Sequence, residues 1–199
     1  MWGHVPFDIR RVFTVSARVG DIRRDHADKK CTQLPIYVSG QIHVSCDNGL
    51  HGSARLEEVQ ARYSSIDEVQ SISFPIFNEI NHHGILRVFE LTSLPFKLVR
   101  IFSVGADAGG ERGHHAHREC SQLLVCITGE ITVSCEDGKS HAQYELSPAT
   151  DALLIPPGIW SKQYYRVAQS SLLVLCDREF NENEYLRDYS EYISWKETS

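Results

Sequence analysis

The stretch RGHHAHRECSQLLVCITGEITVSCEDG, residues 112–138, decides how this chain folds. It holds two β-rich runs, Gln122–Ile127 and Ile131–Cys135, each followed by a compact turn signal, Thr-Gly-Glu or Glu-Asp-Gly. Runs of the same kind occur on either side, at Val99–Val104, Ala152–Ile155 and Ser171–Cys176. Many short strands at regular spacing predict an all-β sandwich or barrel.

Two histidines, His115 and His117, stand one residue apart in this stretch. Alternate residues of a strand face the same side, so we expect both imidazoles to point into the barrel. Such a pair indicates function more than packing, because the ordinary pKa of histidine lies near the working pH. Arg112 stands just before the predicted strand, and we expect it at the mouth of the barrel.

The chain contains an internal repeat at a constant offset of 89 residues. Residues 6–49 and 95–138 align without a gap, with 19 identities in 44 positions, which chance does not explain over that length. In the first copy His26 aligns with His115, but Asp28 stands in place of His117. We therefore expect the first copy to be structural and catalytically inactive.

The repeat ends at Gly49, and the sequence that follows resembles nothing in the second copy. The chain is therefore predicted to divide into a truncated half-repeat over 1–50, a linker or short helix over 51–75 and a complete domain over 76–199. A half-copy leaves unpaired strand edges, which proteins normally cover. We expect it to pair with the main barrel or with a second subunit.

Composition and charge exclude several classes of function. The net charge of −6 argues against a nucleic-acid partner. The longest apolar runs are about five residues, far below the roughly 20 that span a bilayer, and no signal peptide is recognisable, so a cytoplasmic protein without a membrane partner is predicted. The six cysteines lack a Cys-x-x-Cys pair, so a zinc ribbon is not expected and the thiols are predicted to be reduced and mostly buried.

The tail after Asp177 changes character. Its segment FNENEYLRDYSEYISW, residues 180–195, carries Tyr185, Tyr189 and Tyr192 with charged residues between them. This pattern predicts a helical or loosely helical segment packed on the barrel.

The spacing Gly109-x5-His115-x-His117-x4-Gln122-x6-Gly129 resembles the first motif of the cupin superfamily, and Pro156-Pro157-Gly158-Ile159-Trp160 resembles the second. Residues 77–192 are similar to the sugar-nucleotide 3,4-ketoisomerases of that superfamily. FNEINHHGILRVFE, LPFKLVRIFSV and the tail carry this likeness beside the histidine motif. It implies a cupin fold, a double-stranded β-helix (jelly-roll) barrel, with a short C-terminal helix and, here, an extra N-terminal β half-repeat.

The resemblance also implies an activity. The family moves the keto group of dTDP-4-keto-6-deoxyglucose from C4 to C3 through an enediol, on the way to dideoxy amino sugars of surface polysaccharides. His115 and His117 are the implied catalytic pair, with either one as the base at C3. The implied assembly is a homodimer. The candidates for binding the substrate are Arg112, Arg100, Gln122 and Trp160.

The sequence departs from the family at two places, of which the second bears on the product. Asn81-His82-His83-Gly84 stands where an Asp-x-Arg-Gly pattern is commoner, and Ser103 stands where an aromatic residue is usual. The choice between a galacto and a gluco product therefore stays open.

Metal-binding cupins usually add a carboxylate and a third histidine to the pair. Gln122 and Ser161 occupy those positions here, which leaves too few ligands for a divalent ion. We therefore predict no metal and no cofactor. The alternatives are a sugar-nucleotide epimerase, a non-catalytic sugar-nucleotide-binding cupin and, despite these residues, a metal-dependent oxygenase.

Overall fold

Strand β8, Ile131–Glu136, shows why these segments form strands. Ile131, Val133 and Cys135 are at most 1% exposed, and the residues between them are only half-buried. A buried side chain at every second position gives a strand one face in the core. The preceding turn requires Gly129, whose φ is 78° and where a Cβ would collide with the Ser170 side chain.

The computed structural model describes residues 11–15, 65–77 and 85–197. These ranges contain one α-helix, α1 (Tyr189–Glu197), and three 3-10 turns (Ile66–Glu68, Leu91–Ser93 and Glu182–Glu184). The strands are β1 (Arg11–Val15), β2 (Gln70–Ile72), β3 (Ile76–Phe77), β4 (Leu86–Glu90), β5 (Arg100–Ala106), β6 (Glu111–His117), β7 (Gln122–Thr128), β8 (Ile131–Glu136), β9 (His141–Leu146), β10 (Ala152–Ile155), β11 (Trp160–Tyr165), β12 (Ser170–Cys176) and β13 (Tyr185–Leu186). All five predicted strands are confirmed, as β5, β7, β8, β10 and β12.

Two five-stranded antiparallel sheets form the body of the domain, in the orders β2-β10-β7-β12-β5 and β13-β6-β11-β8-β9. One buried cluster takes apolar side chains from both, with Leu124 and Val174 from the first and Ile131 and Tyr165 from the second. Side chains that interdigitate between two sheets make the interior of a barrel. This arrangement confirms the all-β double-stranded β-helix with a short C-terminal helix.

Each sheet is also covered on its outer face. Phe89 on β4 and Phe74 beside β3 pack edge to face at 4.7 Å, in one cluster with Leu123 and Leu175 of the first sheet. Helix α1 covers the second sheet through Tyr192, which packs in one cluster with Ala116. The histidine side of the second sheet is therefore its inner face.

Strand β1 is the described part of the half-repeat. It pairs antiparallel with β4, from Arg11 opposite Glu90 to Val15 opposite Leu86, as expected of a half-copy that pairs with the main domain. His26, Asp28 and the helix predicted after Gly49 lie outside the described residues. β2 adds an edge strand to the first sheet, so the sheet begins inside the segment predicted as a linker.

Only the last part of the tail is helical. Its first part makes a 3-10 turn and then β13, which pairs with β6 through Tyr185 opposite His117 and Leu186 opposite Ala116. The edge of β6 offers unpaired backbone groups, and pairing with them outweighs the local helical pattern. The helix begins only at Tyr189. In the part of the chain that the structure describes, no helix has the length and apolar character to cross a membrane.

Candidate active site

A β-bulge in β6 sets the direction of the site residues. Opposite β11, Ser161 pairs with His115 and Lys162 pairs with Gly113, so His114 is an extra residue without a partner in this register. Gly113 and His114 both have positive φ, 85° and 55°, as a bulge of this kind requires. Alternation along the strand is therefore shifted by one residue at this point.

The bulge brings Arg112 to the face of the two histidines. Arg112 pairs with Gln163, which is buried on the same face of β11 as Ser161. Without an extra residue, Arg112 and His115 would lie on opposite faces. The prediction that Arg112 precedes the strand is wrong, since β6 already begins at Glu111. The side chain of Arg112 is exposed.

The two predicted histidines lie side by side. Their Nε2 atoms are 3.2 Å apart, and the rings meet edge to face. The ring of Tyr185 packs on both, at 4.3 Å from His117 and 5.1 Å from His115. One nitrogen of the pair must donate and the other accept, so the two imidazoles share a proton.

Glu184 hydrogen-bonds the ring nitrogen of His117 that faces away from His115. Its Oε1 lies 2.5 Å from Nδ1 of His117, and its Oε2 accepts the N–H groups of Glu119 and Cys120 at 3.1 Å each. Burial raises the pKa of Glu184, but these hydrogen bonds, led by that from His117, lower it by more, so the pKa lies below its usual value. An ionised carboxylate only accepts, so the proton between them belongs to Nδ1 of His117.

Sequence reasoning missed Glu184. It lies in the quoted tail among several acidic residues that look alike in sequence, and the tail has no repeat copy with which to compare it. The pairing of β13 with β6 is what brings its carboxylate to His117, 67 residues away in the chain.

His115 is kept neutral. Burial, and then the neighbouring His117, lower the pKa of His115 to about 4. Its Nδ1 is buried and has no hydrogen-bond partner among the described residues. An uncharged imidazole beside a carboxylate-bound imidazole can accept a proton at neutral pH.

Arg100 and Gln122 contact the same residue, Cys176. Both donate to the thiol of Cys176, from Nη2 at 3.4 Å and from Nε2 at 3.8 Å respectively. The hydrogen bond from Cys120 lowers the pKa of Cys176 to about 7 against the effect of burial, and Arg100 adds to this. Arg100 also interacts electrostatically with Tyr185, whose ring packs on both histidines.

Trp160 lies on the other face of the second sheet. Its ring packs at 5.2 Å on Tyr189 and at 5.4 Å on Tyr192 of helix α1. Because its neighbour Ser161 faces inward beside His115, the alternation of β11 turns Trp160 outward. The structure therefore places Trp160 on the face of the sheet opposite the histidine pair.

An open groove on this outer face includes Trp160, His114, Lys162 and Tyr189 in its lining. It is separated from the histidine pair by the sheet itself. The groove is therefore no part of the candidate active site.

Comparison with known proteins agrees with this geometry. The model of a family described as "FdtA: WxcM-like, C-terminal" matches residues 2–61 and 67–197. The chain belongs to this family.

Named relatives share one activity. The TDP-4-oxo-6-deoxy-alpha-D-glucose-3,4-oxoisomerase of Aneurinibacillus thermoaerophilus is 27% identical over 110 residues, which are 55% of this chain and 79% of that protein. The solved structure of a 3,4-ketoisomerase from Helicobacter canadensis is 27% identical with a TM-score of 0.60, over 65% of this chain and 98% of the other. These relatives of the chain are sugar 3,4-ketoisomerases by name.

A further solved structure shares the fold. QdtA, a sugar 3,4-ketoisomerase from Thermoanaerobacterium thermosaccharolyticum solved in complex with TDP, superposes with a TM-score of 0.62 at 24% identity. The match covers 67% of this chain and 97% of that one.

Proposed function

We propose that this chain moves the keto group of a dTDP-4-keto-6-deoxyhexose from C4 to C3 by metal-free acid–base catalysis. The observation that carries this is the chain of contacts from Glu184 to His117 to His115, at 2.5 Å and 3.2 Å on the inner face of the barrel. The carboxylate of Glu184 orients His117, and His117 and the neutral His115 can pass a single proton between them.

The reaction needs one proton to leave a carbon and one to reach its neighbour. The base takes the proton from C3 while the C4 carbonyl oxygen becomes the hydroxyl of an enediol. The C3 hydroxyl then gives up its proton and becomes the carbonyl as C4 receives a proton. The atoms of substrate and product are the same, so no oxidant or reductant is consumed.

His115 is the better placed of the two to act as the base. It is half-buried, whereas His117 is 6% exposed and tied to Glu184. His117 then passes the proton on, because its Nε2 faces that of His115. A positioned base of this kind contributes roughly 10²–10⁴-fold in rate.

Two arginines suit the charges of such a substrate. Arg112 is exposed on the histidine face, where its planar fork can bind pyrophosphate oxygens. Arg100 lies deeper, with a buried Nε that has no partner among the described residues, and can stabilise a developing enediolate. The names of the relatives support a TDP-linked substrate, and so does the TDP bound to the QdtA structure.

The test is incubation with dTDP-4-keto-6-deoxyglucose in D2O, with the product identified by NMR. We expect a 3-keto sugar that carries deuterium at C4. His115→Asn and His117→Asn should each lower kcat by about 10²–10⁴-fold. His114→Asn is the matched control, because His114 lies in the same strand, exposed, in an ion pair with Glu111.

Other outcomes would point elsewhere. Deuterium exchange with the carbonyl still at C4 would indicate an epimerase. Tight binding without turnover or exchange, unchanged by either histidine substitution, would indicate a binding protein. We further infer that the chain forms a homodimer, since two-fold dimers are the commonest closed assembly. We also infer that the enzyme serves dideoxy-amino-sugar synthesis. Sedimentation as a monomer would contradict the dimer.

A further inference from the structure

One histidine of the pair and two other buried side chains bring three different donor atoms close together. A ring nitrogen of His117, Sγ of Cys120 and a carboxylate oxygen of Glu184 lie within 4.8 Å of one another. The three residues are 6%, 1% and 6% exposed. The proposed isomerisation uses His117 and Glu184 but gives the thiol of Cys120 no task.

Nitrogen, oxygen and sulfur are the donor types that zinc takes, and three protein ligands leave its fourth position to a water. Thiolates also favour zinc over magnesium or calcium, which prefer oxygen ligands.

We infer that His117, Cys120 and Glu184 form a binding site for a zinc-like divalent cation. The ion would take the place of the proton that Nδ1 of His117 now shares with Glu184. Binding forms metal bonds to nitrogen, oxygen and sulfur; His117 passes to its Nε2–H tautomer, which frees Nδ1 for the metal, and the thiol proton of Cys120 is released to solvent. No electron transfer is involved.

The distances are close to what such an ion needs. Ligand atoms around tetrahedral zinc are about 3.4 Å apart, given metal bonds of about 2.0–2.3 Å. The 2.5 Å contact of His117 with Glu184 must therefore open, and the 4.8 Å limit of the three-atom cluster must close. Both changes are within reach of side-chain rotation, since Cys120 lies in the connection between β6 and β7 and not in a strand.

Charge also favours the ion. A divalent cation is neutralised by the carboxylate of Glu184 and one thiolate, which a buried site requires.

Occupancy of this site should inhibit the isomerase, a consequence that rests on the proposed function. The ion would remove the hydrogen bond that orients His117, and it would fix a positive charge next to the base. Zinc would then act as a reversible inhibitor of the proton relay.

The binding test uses the full chain with Cys31→Ser and Cys46→Ser, which removes thiols outside the described part. We expect one equivalent of Zn²⁺ after dialysis, and Co²⁺ to give thiolate charge-transfer and tetrahedral absorption bands. Cys120→Ser should weaken Zn²⁺ binding at least about tenfold. Cys126→Ser is the matched control, because Cys126 is a buried thiol of the same barrel that hydrogen-bonds the carbonyl of Thr128 at the far end of β7.

The activity test compares each variant with its own zinc-free rate. Added Zn²⁺ should lower turnover of the background protein, a chelator should restore it, and Mg²⁺ should have no effect. Cys120→Ser should lose this sensitivity, and Cys126→Ser should keep it.

The remaining outcomes distinguish failure of the zinc site from failure of the proposed isomerase activity. Absence of Zn²⁺ binding, or binding that Cys120→Ser leaves unchanged, overturns the site. Binding as described in a protein that never turns over the sugar leaves the site standing and overturns the proposed isomerase. Activity that is lost with the chelator and restored by Zn²⁺ overturns inhibition and metal-free catalysis together.

Discussion

At the scale of single residues, Glu184 determines what the histidine pair can do. Its carboxylate fixes the Nδ1 proton of His117, and this turns Nε2 toward His115. The two backbone N–H groups on its other oxygen keep it ionised although it is buried. Glu184 is a positioning residue, since it acts through His117.

Glu184→Gln should lower kcat strongly and leave KM nearly unchanged. An amide can donate to Nδ1 and so favour the wrong tautomer, an effect that reaches about 10⁴-fold when the carboxylate behind a catalytic histidine is replaced. Steady-state kinetics with the dTDP-sugar measures the split. Glu184→Asp should restore part of the rate, and Glu191→Gln, an exposed partner of Arg118, should behave as wild type. Equal losses in kcat and in thermal stability for all three would contradict the assignment.

His115 should make folding stability depend on pH. Burial and the neighbouring His117 lower its pKa to about 4, so the unfolded chain binds this proton more readily than the folded one. Stability from this group is therefore complete above about pH 6.5 and is lost as the pH falls toward 4. Urea unfolding across this range should show a steeper decline for wild type than for His115→Asn. Parallel pH profiles would contradict a lowered pKa.

At the scale of secondary-structure elements, the bulge in β6 and the strand β13 build the site. The bulge places Arg112 on the inner face, and β13 brings Glu184 and Tyr185 to the edge where the histidines lie. Neither feature follows from alternating hydrophobicity, because one breaks the alternation and the other is only two residues long.

Gly113→Ala tests the bulge. Gly113 has a φ of 85°, and a Cβ there would lie 2.8 Å from the carbonyl oxygen of Ser161 and 2.9 Å from the Gln163 amide. We expect a loss of about 1–3 kcal/mol in unfolding free energy from urea titration, with reduced activity as Arg112 shifts.

Gly109→Ala is the control for that substitution. Its φ is similar, 81°, but the nearest atom to its Cβ would be 4.0 Å away. It should carry the backbone strain without the collision. Equal destabilisation by the two substitutions would mean that close packing at the bulge contributes nothing.

At the scale of the whole molecule, the domain consists of a barrel whose outer faces are covered. β3 and β4 lie on the first sheet, helix α1 lies on the second, and β1 extends the β3–β4 layer. The described part of the half-repeat therefore joins the cover and lies on the side of the first sheet away from the histidines.

Proline substitutions in β1 test this placement. Neighbouring residues in a strand point their N–H groups to opposite sides, so only one of Phe13 and Thr14 donates toward β4. Phe13→Pro and Thr14→Pro should therefore differ by about 1 kcal/mol in unfolding free energy, the value of one ladder hydrogen bond. Urea unfolding measures the difference, and kcat should stay unchanged in both. Identical stabilities would show that β1 does not pair with β4.

The sequence by itself determined five strands of the barrel (β5, β7, β8, β10 and β12) and the histidine pair. Strand β10 has the predicted bounds, and the other predicted strands differ by at most two residues at either end. Local periodicity carries this information, because a strand with one buried face must alternate. The side chains of His115 and His117 meet because they are two residues apart beyond the bulge.

The tertiary structure alone decided the partner of His117, the direction of Arg112 and Trp160, and the cluster around Cys120. Each depends on contacts between segments far apart in the chain, such as the 67 residues that separate His117 from Glu184. A one-residue bulge or a two-residue strand hardly changes the local pattern, yet it redirects side chains between the inside and the outside of the barrel. The sequence therefore indicated the histidine pair, and only the packed sheets decided which side chains contact it.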